Sequence, residues 1–214
     1  MNPEPRPQGE SSLPPVHDLV AAQRSYLAAG ATDPDLVSRT IVEGDPDELM
    51  ALGVELLRHT DAQHRILGSR LVRAVRGREA DAVDALLAAF DRETDPDTLF
   101  WLISALGYTG SDRATDRLLP LVDSTDESIR YAVSDALSSV EELSEPAREA
   151  LVRMARDADS DVRFSAVFEL GAWLPQIPEF RSVVLAALDD PAPLVARTAR
   201  EALDEAAAAV PELG

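Results

Sequence analysis

A chain of 214 residues that is 45% hydrophobic can bury a sizeable core and is too apolar to remain disordered. Its formal net charge of −19 works against binding nucleic acid or an anionic membrane, and favours encounters with basic proteins. It contains no cysteine, which removes disulfides, thiolate catalysis and thiolate zinc sites.

All 20 basic residues are arginine, and the Ala, Asp and Arg bias points to a GC-rich bacterial genome. Residues 1–15, rich in Pro, Ser and charge, read as a disordered arm because they offer nothing to bury. That arm has no apolar run of the signal-peptide kind, and no later stretch is long and apolar enough for a bilayer. The expected location is therefore cytoplasmic.

From residue 16 onward the pattern is helix after helix with short connections. Segment 16–44 reads as an N-terminal helical cap, 45–209 as the body and 210–214 as a tail. Asp-Pro pairs at Asp33-Pro34, Asp45-Pro46, Asp95-Pro96 and Asp190-Pro191 mark helix starts, Asp capping free amides and Pro taking the first helical position. Gly30, Gly44, Gly77 and Gly110 stand where helices should stop in left-handed caps. Within the body, Val83, Leu86, Leu87 and Phe90 follow the i, i+3, i+4, i+7 spacing of one helix face, as do Ala147, Ala150, Leu151 and Met154.

These helices repeat in pairs. Ile129, Val133 and Leu137 recur 33 residues later as Val162, Ala166 and Leu170, and again as Val195, Ala199 and Leu203. Going backwards, a shift of 31 from Val133 and Leu137 reaches Leu102 and Leu106, and a further shift of 35 from these reaches Leu67 and Leu71. Periods of this size describe an all-α solenoid, whose units must stack to bury their apolar faces.

RLLPLVDSTDESIRYAVSDAL (residues 117–137) and DADSDVRFSAVFELG (157–171) resemble units of the HEAT-repeat family, the second being close to the short bacterial variant. The resemblance implies about five helical hairpins across 45–209, with first helices on a convex face and second helices on a concave one. It places the signature arginine at Arg130 and Arg163, with Leu99, His64 and Ala196 in the corresponding places of other units. It also directs two columns into the concavity. One is Arg65, Phe100, Tyr131, Phe164 and Arg197; the other is Ser69, Ser104, Asp135, Phe168 and Glu201. The rings of this strip either face a partner or pack between neighbouring second helices. Aligned on solvent, they would favour capture of a protein or peptide.

Other constellations are weaker. His59, Asp61 and His64 lack the spacing of a helical metal site, and a solvated turn explains them. Asp157, Asp159 and Asp161 lack the glycine and terminal Glu of a calcium loop, and helix capping explains them. Asp135 has only Glu201 as a titratable neighbour in its column. The expectation is a non-catalytic binding scaffold without cofactor or metal, such as an adaptor, an assembly factor or an immunity protein for a basic client. Two enzymatic alternatives are also HEAT-like. Trp101, Tyr131 and Asp135 loosely resemble the groove of DNA glycosylases, which the net charge opposes. The short repeat variant resembles that of bilin lyases, but it marks the repeat rather than the activity.

Overall fold

The computed structural model describes residues 19–30 and 33–209, so the expected arm 1–15 and tail 210–214 lie outside the described residues. Among the described residues there are helices and no strands. α1 (Leu19–Ala28) and α2 (Pro34–Glu43) form an N-terminal pair. Five hairpins follow: α3 (Pro46–Leu56) with α4 (Ala62–Ala74), α5 (Glu79–Phe90) with α6 (Pro96–Tyr108), and α7 (Asp112–Leu118) with α8 (Glu127–Ser138). α9 (Glu145–Met154) with α10 (Ser160–Ala172), and α11 (Arg181–Ala186) with α12 (Pro193–Ala209), complete the stack.

Local chemistry sets the helix ends. Asp33, Asp45, Asp61, Asp95, Asp126 and Asp159 each accept backbone N–H groups of the first turn that follows, satisfying donors with no partner inside the helix. Asp190 departs from the expectation. α12 begins at Pro193, and the Asp190 carboxylate is taken by Arg163 instead. Gly30, Gly77 and Gly110 adopt the expected positive φ, whereas Gly44 is extended at φ −68°. Pro120 lacks an amide donor, and α7 gives way at Leu119–Asp123 to a 3₁₀ turn.

Second helices pack directly on one another in the order α4, α6, α8, α10, α12. Contact between successive first helices is sparse, made mainly where the 3₁₀ turn 119–123 meets α9. A stack drawn together along one row and spread along the other curves, with the second helices on its concave side. Small residues permit the close row. A Cβ added at Gly107 of α6 would lie 2.5 Å from the Cα of Ala136 in α8, and one at Gly171 of α10 would lie 2.5 Å from the Cβ of Ala202 in α12. Between the rows, Leu71, Leu106, Leu137 and Leu170 are fully shielded, each contributing roughly 2–3 kcal/mol by burial.

Candidate partner-binding groove

A ladder of arginine–carboxylate pairs orders the turns at one edge of the stack. Arg130 Nε and Nη2 each donate to Asp157 at 2.8 Å, and Nη1 donates to the Ser124 carbonyl at 2.8 Å. Arg163 grips Asp190 at 2.8 and 2.9 Å and donates to the carbonyls of Asp157 and Ala158. Arg65 does the same with Glu93, at 2.7 and 3.1 Å, and with the carbonyls of His59 and Thr60. Each acid also accepts backbone N–H groups of its own turn: Glu93 from Thr94 and Asp95, Asp157 from Asp159, Asp190 from Ala192. These bonds hold the three carboxyls below their ordinary range despite partial burial, the arginine being the largest influence at Asp157 and Asp190.

This geometry corrects the sequence register at the first hairpin. Arg65 lies four residues after its cap, Asp61, as Arg130 does after Asp126 and Arg163 after Asp159. It is therefore a ladder arginine and no part of the groove lining, and the ladder has three arginines among the described residues rather than two. The groove positions of α4 become Ile66 and Arg70, one residue beyond Arg65 and Ser69, and Ser69 is buried. Leu99 holds the arginine place in α6, and Ser124 holds the acid place in the turn it would reach, its hydroxyl accepting from the Asp126 amide.

Phe100, Tyr131 and Phe164 follow one another along α6, α8 and α10. Each ring is half-buried, one side resting on the core. The other side lines a cleft of about 380 Å³ that Leu194 of α12 closes, with Glu127, Asp159 and Asp161 around it. The rings thus pack against the core on one side and floor an open cleft on the other. Phe168 is 56% exposed, with its ring 6.4 Å from that of Phe164. Phe100 meets Trp101 edge to face at 5.8 Å, beside a second cleft of about 450 Å³ that also takes in Ile66 and Arg70. Arg197 is exposed on α12 and loosely paired with Glu201 at 3.8 Å.

The groove is electrically negative. Loss of water, then the charges of Asp135, Asp161 and Glu169, push the Tyr131 phenol above its usual range. Asp135 is open to solvent on one side, but crowding around its carboxyl raises it. Beside it lies Glu169, a residue the sequence reading did not single out. Burial, with Asp135 adding to it, pushes this carboxyl up to about 7 against the opposing hydrogen bond from Ser138. Glu169 stands ten residues after its cap, where α6, α8 and α12 carry Ala105, Ala136 and Ala202. A carboxylate in a column of buried alanines was the available signal. Trp173 Nε1 donates to the Ser138 carbonyl at 3.3 Å, closing this seam.

The remaining acidic turns are structural. Asp61 caps α4 and its carboxylate lies 2.9 Å from His64 Nδ1, while His59 and His64 stack at 4.1 Å. Asp159 caps α10, and Asp157 belongs to the ladder. Among the described residues no group of three or more His, Asp or Glu side chains is arranged to hold a metal ion, and no helix is long and apolar enough to cross a membrane.

The family model for HEAT repeats matches residues 49–138 and 83–171, together more than half of the chain. The chain belongs to the HEAT-repeat family. Its HEAT stack is similar to the solved structure of YibA from E. coli (TM-score 0.62, 14% identity, covering 81% of this chain and 66% of that one). It is similar too to the complex of CpcE and CpcF of phycocyanin lyase from Nostoc sp. (TM-score 0.56, 21% identity, 73% of this chain and 64% of that one). The chain thus spans just under two thirds of each of these relatives. A designed armadillo repeat protein, solved in complex with the peptide (KR)4, aligns over 91% of this chain and 99% of its own (TM-score 0.53, 15% identity). At such identities these likenesses show the fold alone. No curated protein sequence matches the chain.

Proposed function

We propose that this HEAT protein is a non-catalytic scaffold that holds a basic segment of a partner protein in its concave groove. The observation that carries this reading is the cleft floored by Phe100, Tyr131 and Phe164 and rimmed by Glu127, Asp159 and Asp161. Aromatic faces attract ammonium and guanidinium groups, and a carboxylate rim adds charge steering and orientation. The net charge of −19 extends that attraction beyond the groove. The designed armadillo protein offers a precedent for a similar stack holding an alternating Lys-Arg peptide. Adaptors, assembly factors and immunity proteins that mask a basic effector all fit this mode of action.

The test is titration of a fluorescein-labelled alternating Lys-Arg peptide, followed by anisotropy. Saturable binding that weakens as salt rises, and is lost in the Tyr131→Ala/Phe164→Ala double variant, supports the reading. Absence of binding at low salt, or binding indifferent to both substitutions, removes it.

A further inference from the structure

The charge of the chain is not evenly spread. Residues 58–78 hold six of the 20 arginines, namely Arg58, Arg65, Arg70, Arg73, Arg76 and Arg78, against the single acid Asp61. Arg65 and Arg78 are spent on ion pairs with Glu93, and with Asp47 and Asp81. Among the described residues no carboxylate pairs with Arg70, Arg73 or Arg76, in a protein where acids outnumber bases 39 to 20.

Two of them rest on aromatic rings instead. The Arg73 guanidinium carbon lies 4.9 Å from the centre of the Tyr108 ring, and that of Arg70 lies 6.0 Å from the centre of the Trp101 ring. Stacking fixes the place of a guanidinium and leaves the N–H donors around its edge available for a carboxylate. Tyr108 is 69% exposed and Val42 80%, and both border a cleft of about 410 Å³ that Arg73 and Arg76 also line. The one acid lining that cleft, Glu79, is engaged by the Gly77 amide, which donates to its carboxylate at 2.8 Å. Exposed apolar surface beside unclaimed, ring-supported arginines is the arrangement of a recognition site for a carboxylate-bearing chain.

We propose that the edge formed by the C-terminal ends of α4 and α6 binds an acidic, leucine-bearing segment of a partner protein. Its apolar side chains enter the cleft beside Val42 and Tyr108, and its carboxylates pair with Arg73 and Arg76. The occupant follows from charge complementarity. A nucleic acid would satisfy the same arginines but has no aliphatic side chain for the cleft beside Val42 and Tyr108, and a second copy would bring a net charge of −19 against the same charge, where a short segment brings only a few carboxylates. This site is separate from the groove floored by Tyr131 and Phe164 and does not depend on that reading.

The experiment measures anisotropy of a fluorescein-labelled peptide of alternating glutamate and leucine against the full chain. The expected result is saturable, salt-sensitive binding. It should weaken about tenfold in Arg73→Gln/Arg76→Gln, and again in Tyr108→Ala, and stay unchanged in Tyr131→Ala/Phe164→Ala. Urea unfolding of each variant verifies a cooperative fold, which substitutions outside the fully buried core should preserve. The proposal is overturned by absence of binding, or by equal affinity in the arginine double variant. It is overturned equally by a glutamine-for-glutamate peptide that binds as well, or by a single-stranded DNA oligonucleotide that binds more tightly through the same arginines. Self-association that disappears in the arginine double variant would assign the edge to a second copy and overturn the proposal as well.

Discussion

Arg130 of α8 and Asp157 in the turn before α10 face each other through two parallel 2.8 Å hydrogen bonds, with both side chains about one-seventh exposed. Because Asp157 also accepts the Asp159 amide, one carboxylate joins the turn of its own unit to the second helix of the unit before. A pair so shielded and so fully hydrogen-bonded is costly to halve, since the remaining charge keeps its desolvation but loses its partner. Arg130→Ala should therefore destabilise the fold by about 3 kcal/mol in urea unfolding, and Asp157→Asn by a similar amount. In a double-mutant cycle the two losses should be strongly non-additive. Additive losses would mean that the two residues act separately.

Close packing of the inner row sets a second expectation. A methyl group at Gly107 would stand 2.5 Å from the Ala136 backbone, which cannot give way without moving α8. Gly107→Ala should cost about 2–3 kcal/mol through overpacking. Gly77→Ala meets no atom within 4 Å and suffers only from its φ of 76°, a penalty of roughly 1 kcal/mol. Thermal unfolding of the two variants side by side should rank them in that order.

The groove rings call for a separation of stability from binding. Leu137 is fully buried, so Leu137→Ala should cost 3 kcal/mol or more through lost burial and the cavity left behind, at about the upper half of the usual range. Tyr131 is already half open to the cleft, and Tyr131→Ala should cost only about 1–2 kcal/mol. Equal losses at the two sites in denaturant titrations would make the ring a core residue and leave the groove without its floor.

How much of this was legible in the sequence depends on which residues carried the signal. The apolar columns through Ile129, Val133 and Leu137 set the helices, their pairing and their stacking, since burial at fixed spacing is what a solenoid requires. The same columns misplaced α4 by one residue. Gly68 occupies the central core place there because the backbone at the end of α3, the Leu57 amide and the Gly53 carbonyl, crosses too closely for anything larger, so the apolar match slid to Leu67 and Leu71. The interval from Asp61 to Arg65, equal to that from Asp126 to Arg130, would have given the true register. The unpaired state of Arg70 and Arg73 was not legible. Which acid reaches which arginine depends on the packing of elements 26 to 31 residues apart, as in Arg117–Asp91, Arg130–Asp157 and Arg78–Asp47.

Glu169 gives the sharpest pH expectation. Its carboxyl ionises at about 7 in the folded chain, against an ordinary value of 4.5, because the α8–α10 seam excludes water and Asp135 lies near. Between those values the folded state binds more protons than the unfolded one, so stability is fully present below about 4.5 and is lost as pH rises through about 7. The displacement corresponds to roughly 3 kcal/mol at its limit. The ladder acids Glu93, Asp157 and Asp190 act oppositely: their lowered values stabilise the fold above the ordinary carboxylate range, and that contribution is lost as pH falls below it. Together these groups place maximal stability on the mildly acidic side. Glu169→Gln keeps the shape and the hydrogen bond to Ser138 but cannot ionise. It should be more stable than the parent at pH 8, close to it at pH 4.5, and should flatten the decline between them, as read from urea midpoints across that range. A parent and variant that fall in parallel from acid to alkaline pH would show that Glu169 ionises in its ordinary range and that the seam is wet.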